Sequence, residues 1–149
     1  MNMGRFAGSC LRTALCFALF GIADGALGAT EIKGAPILDH PCGKVAVKQA
    51  GLLHAGKFDE ANKLTTKEMQ DQFKAMPAKD REMMMGMAKM MTPDEATFSA
   101  TIKASGVLVV DGPSAKLTTK TTTKDANGSS TETTTQNFKL DGGTCLVSR

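Results

Sequence analysis

Two histidines, four cysteines and ten methionines carry most of the chemical potential of this 149-residue chain, which has no Tyr and no Trp. His54 stands just before Ala55-Gly56, at the end of a run with helical spacing. The helix dipole favours a cation there, so the ring reads first as a surface histidine of the last turn. Its alternative role is acid–base work in a cavity, paired with a buried carboxylate. His40, beside Pro41, sits in a loop-like stretch. The sequence has no Ser-His-Asp order, nucleophile-elbow glycines, phosphate loop, His-Glu-x-x-His or Cys-x-x-Cys. No catalytic residue, metal or cofactor is therefore assigned.

The unusual local feature is Met83-Met84-Met85-Gly86-Met87-Ala88-Lys89-Met90-Met91. At about 100° per helical residue, Met83, Met84, Met87, Met90 and Met91 share a face about a third of the circumference wide. Met85 points away from it. Three roles compete for that face. Flexible thioethers fill irregular gaps in a core packed on a sheet. They also make adaptable apolar surfaces that line a cavity or meet a partner. Finally, Met84/Met87 and Met87/Met90 have Met-x-x-Met spacing, and thioethers suit Cu(I). A metal needs three converging sulfurs, and no His or Cys lies near in sequence to help. The candidate site is thus an apolar cavity lined by the five methionines with Phe73, Phe98 and Ile102, and its ligand is a small apolar molecule or a protein.

The compartment follows from the first residues. Arg5 and Arg12 precede an apolar stretch over residues 13–23, and small residues follow at Ala26, Gly28 and Ala29. That order reads as a secretory signal peptide over residues 1–29. The apolar stretch is too short for a membrane span, which needs about 20 residues. Cys10 lacks a lipobox Leu before it, and the apolar core follows it instead of preceding it. Export, to the periplasm or beyond, leaves Cys42 and Cys145 as an even pair, which reads as a disulfide. A reactive thiol is the competing role, and it would need a nearby base. The bridge would close a loop of about 100 residues, worth about 4–5 kcal/mol in the chain-entropy model. A net charge of +3 gives no footprint for nucleic acid. The mature chain contains no membrane-spanning stretch.

The elements that must position these residues form a helical half and a strand half. Residues 30–42 read as an extended, loosely held leader. From Gly43, Val45, Ala46, Ala50, Leu52 and Leu53 recur at helical spacing, and Gly56 closes the run. Phe58, Ala61 and Leu64 mark a short second helix. Thr65-x-x-Glu68 reads as a capping box opening a third, with Met69, Phe73 and Met76 on one face. Pro77 ends it and starts a fourth helix to about Met91. Beyond Thr92-Pro93 the pattern alternates, and Phe98, Ala100 and Ile102 read as a half-buried strand. Residues 107–110 form a short strand. Residues 115–124 and 131–140 flank the hairpin signal Asn127-Gly128, and Asp141-Gly142-Gly143 turns into a last strand. The threonines between Thr118 and Thr135 read as strand, not as a disordered stalk. The result is one α+β domain over residues 43–149, its N-terminal helices packed on a curved antiparallel sheet.

The run Leu53-His54-Ala55-Gly56-Lys57-Phe58-Asp59-Glu60-Ala61 resembles a helix junction of small exported bacterial members of the nuclear-transport-factor-2-like superfamily (cystatin-like fold). The Met/Lys-rich helix before Pro93, Val110-Asp111-Gly112-x-x-Ala115, Phe138-Lys139-Leu140 and the Gly-Gly turn follow the same order. The resemblance spans about residues 43–147 and implies a cone-shaped sheet with a cavity under its helices. Relatives often carry a Trp after the last turn, where Cys145 stands here; a covalent anchor in its place supports the bridge. Members include isomerases, dehydratases, ligand binders and interaction modules, so the fold alone assigns no function. A cavity enzyme here would have to use His54. Relatives also pair through the open sheet face, which here carries Thr and Lys and leaves homodimerisation open.

Overall fold

The computed structural model describes residues 28–125 and 128–149. Residues 1–29, which the sequence reads as a signal peptide, therefore lie almost wholly outside the described residues. Strand β1 (Thr30–Lys33) and a 3-10 helix (Ala35–Asp39) lead into helices α1 (Pro41–His54), α2 (Phe58–Asn62), α3 (Lys67–Ala75), α4 (Ala78–Met91) and α5 (Glu95–Ser105). Strands β2 (Val107–Asp111), β3 (Ser114–Asp125), β4 (Gly128–Asp141) and β5 (Thr144–Ser148) complete the chain. Among the described residues they form one antiparallel, five-stranded sheet in the order β1-β2-β3-β4-β5. The architecture is α+β. No helix among the described residues is long and apolar enough to cross a membrane.

Strand alternation separates the two faces of the sheet. The register sets Leu108 against Leu117, Ala115 against Phe138, and Phe138 against Val147 on the inner face. These side chains bury against Ile37, Ala46, Val47 and Ile102 to make the core. Lys116, Lys120 and Lys139 alternate with them onto the outer face and are exposed. Cys42, at the start of α1, is bonded to Cys145 in β5, with both residues buried. The first helix is thus covalently fixed to the last strand across 103 positions of sequence.

Residues 30–42 are not a loose leader. Thr30–Lys33 pairs with β2, and Ile37 is completely buried in the core. Gly43 explains how α1 lies so close to this segment: a side chain at that position would collide with the Ile37 carbonyl. The helix starts earlier than Gly43, at Pro41, whose missing N–H is no loss in a first turn. At its other end Gly56, with φ 74°, forms a Schellman cap. Lys57 N–H donates to Leu52 O at 2.8 Å and Gly56 N–H to Leu53 O at 3.0 Å.

Phe98 to Ile102 form a helix, not the expected strand. The Asp94 side chain accepts from Thr97 N–H at 3.0 Å and from the Thr97 hydroxyl at 2.7 Å, capping α5. Thr101 and Ser105 hydroxyls donate to carbonyls four residues back, which satisfies residues that otherwise favour strands. Phe98 and Ile102, four apart, then share a helical face, and Ile102 is fully buried. The capping box is also replaced. Thr66 is the N-cap of α3 without a side-chain bond, while the Thr65 hydroxyl donates to Asn62 O at 2.7 Å. Thr65 is buried because its segment runs along β5: Thr66 N–H donates to Val147 O, and Val147 N–H to Leu64 O, both at 2.9 Å.

The threonine-rich stretch is strand throughout its described length, including a Thr122–Thr131 hydroxyl bond at 3.1 Å across β3 and β4. Pairing reaches Asp125 opposite Gly128, so Gly128 belongs to the ladder. Asn127 lies outside the described residues.

Candidate functional site

Helix α4 determines where the methionines go. Arg81, Met85, Ala88 and Thr92 recur at helical spacing and are half-buried, so they form the inward side. Ala88 is small enough to let the helix approach α1. Arg81 reaches over the Phe73 ring, its guanidinium carbon 5.8 Å from the centroid, and covers apolar surface with its stem. This anchoring turns the expected cavity face outward. Met83, Met84, Met87, Met90 and Met91 are exposed, Met90 most of all at 88%. The five methionines therefore do not fill the core. The apolar stripe counted in sequence is not the stripe that packs.

A hollow of about 270 Å³ does lie beneath α4, between it and helices α1, α2 and α3. Leu53, Met69, Phe73, Met76, Met84 and Met85 supply its apolar lining. Of the expected cavity residues only Met84 and Phe73 are there. Met85, which the helical wheel sends away from the other five, is a wall. The Met69, Phe73 and Met76 spacing was visible as one face of α3; Met85 was detectable only through its partners Ala88 and Thr92.

A second hollow, about 520 Å³, opens between α1, α5 and the inner face of β3 and β4. Phe98 and Met91 line it, with Leu117 and Thr119 beneath and Glu132 toward the tip of the hairpin. Ile102 lines neither hollow, because it is sealed in the core. Met83, Met87 and Met90 line neither one. Gln49 and Leu53 of α1 border both, and Gln49 is tied to the sheet by Gln136 Nε2 at 2.6 Å.

The histidines take other places. His54 is exposed, its Nδ1 3.0 Å from Thr92 O, and borders neither hollow. Asp94 is near it, and its carboxyl is held below the usual range chiefly by the Thr97 N–H and hydroxyl, with a smaller contribution from His54. His40 caps α1 by accepting from Cys42 N–H at Nδ1, 3.2 Å away. Burial pushes its pKa down. Among the described residues no group of three or more His, Cys, Asp or Glu side chains is placed to hold a metal.

Compared with protein-family models, curated proteins and solved structures, the chain matches none.

Proposed function

We propose that this chain is a periplasmic, non-enzymatic binding module of the nuclear-transport-factor-2-like type. Its ligand is a small apolar molecule held in the hollow beneath α4. One observation carries this reading: a 270 Å³ hollow walled by thioethers and Phe73, under two helices, α3 and α4, that contain no fully buried residue. Helices seated so lightly can adjust to a guest, and methionine walls adapt to its shape. At about 270 Å³ the hollow is just below the usual small-molecule range of about 300–1,000 Å³, so its guest is a small one. Support for the superfamily comes from the run of helices placed before the β2–β5 meander, whose inner face they cover, with β1 added at its edge. Support for an oxidising compartment comes from the buried disulfide.

Native mass spectrometry of protein taken directly from the export compartment tests the reading. The expected result is a one-to-one complex with an apolar molecule, lost in Ala88→Phe, which fills the hollow. A ligand-free wild type that also fails to bind apolar fluorescent probes, or probe binding unchanged by Ala88→Phe, would overturn it.

A further inference from the structure

The outward face of α4 is left unused by packing and by the hollow beneath the helix, and only Met91 on it also borders the second hollow. Met87, Met90 and Met91 on it are 55%, 88% and 74% exposed. They stand at i, i+3 and i+4, where side chains are helical neighbours with Cβ atoms about 5–6 Å apart. Each has three rotatable bonds ending in a soft sulfur, so the three thioethers can meet at one point above Met87. Their place at the last turn of α4, where unpaired carbonyls make the helix end negative, favours a cation beside the charge that Lys89 already supplies there. Neutral thioethers bind hard divalent ions poorly and suit Cu(I). We propose that Met87, Met90 and Met91 form a Cu(I) site on the surface of α4, separate from the apolar hollow.

The alternative triangle on this helix, Met83, Met84 and Met87, begins a turn earlier, away from the negative end, and Met84, 41% exposed, is more committed to its hollow than Met91, 74% exposed, is to the second one. The Met87–Met90–Met91 set is therefore the stronger one. His54 is folded against the end of the same helix through its bond to Thr92 O, so it serves as a control residue and is not part of the proposed site.

The test is competition for Cu(I) against a chromophoric chelator, with ascorbate as reductant so that the disulfide stays closed and no thiolate competes. The full mature chain should take up one Cu(I). Met87→Leu/Met90→Leu/Met91→Leu should lose at least a hundredfold in affinity while keeping its circular dichroism and melting temperature, because Leu preserves both bulk and helix propensity. Met83→Leu/Met84→Leu and His54→Ala should stay within about threefold of the parent. X-ray absorption of the complex should show a sulfur-only shell. No uptake, uptake that survives the triple substitution, or uptake lost in either control variant would overturn the site. None of these outcomes depends on apolar ligand binding beneath α4, since Met87, Met90 and Met91 do not border that hollow.

Discussion

Gln136 on β4 donates its side-chain amide to the Gln49 carboxamide oxygen on α1, 2.6 Å away across 87 positions of sequence. Gln49 is 8% exposed and stands in the wall between the two hollows. An amide so placed has to be paired, because burial without a partner forfeits its hydration. The pair thus fixes the spacing of helix and sheet at the point where both hollows begin. Gln136→Leu should destabilise the protein by about 1–3 kcal/mol, and adding Gln49→Leu should restore much of that loss. A double-mutant cycle by urea denaturation checks it; additive losses would deny the coupling.

The Cys42–Cys145 bond closes nearly the whole described chain into one loop. Replacing both with Ala should cost about 4–5 kcal/mol, the chain-entropy value for a loop of about 100 residues. Denaturation of the double variant beside the oxidised parent measures this. A loss below about 1 kcal/mol would mean that unfolded-state confinement is not what the bond supplies.

His40 should make stability depend on pH. Its folded pKa is below the ordinary 6.5 because burial disfavours the cation, so the unfolded chain binds the proton more readily. Stability is then full above about pH 6.5 and declines as pH falls through the lowered folded value. Protonation also removes the acceptor that Cys42 N–H uses. Melting temperatures between pH 8 and pH 5 should fall in the parent and fall less in His40→Asn, which keeps a capping oxygen without a titrating ring.

Residues Phe98, Ala100 and Ile102 distinguish helix from strand directly. On a strand all three would share one face; in α5, Ile102 is buried and Ala100 exposed. Ile102→Ala should therefore cost about 2–5 kcal/mol, while Ala100→Lys should stay within about 0.5 kcal/mol. Equal and large losses at both positions, measured by chemical denaturation, would contradict the helix.

The α+β class was legible because hydrophobic period changes along the chain, and the disulfide because only two cysteines remain beyond the signal-like stretch. The boundaries of α1 and α4 were marked by Gly56 and Pro77, residues whose backbone limits act locally. Three features were not legible, each for a physical reason. Ile37 looked like part of a leader because a single buried residue in a short 3-10 turn has no period. Phe98 and Ile102 match both a two-residue and a four-residue repeat, and only the Asp94 cap decides between them. The methionine face failed differently: counting apolar residues ignores that Arg81 and Ala88 pack well by stem and by smallness. Met84 and Phe73 were placed at the hollow, but Met85 and Met69 were not, because a cavity needs the crossing of two helices and one helix's wheel cannot supply that.

The short segment Leu64–Thr66, lying along β5, has a consequence for the behaviour of many copies together. Its two bonds to Val147 occupy backbone groups that an outer strand would otherwise offer to any extended chain. Fibril-like stacking of one molecule onto the next is thereby obstructed along that border, by a loop and not by charge.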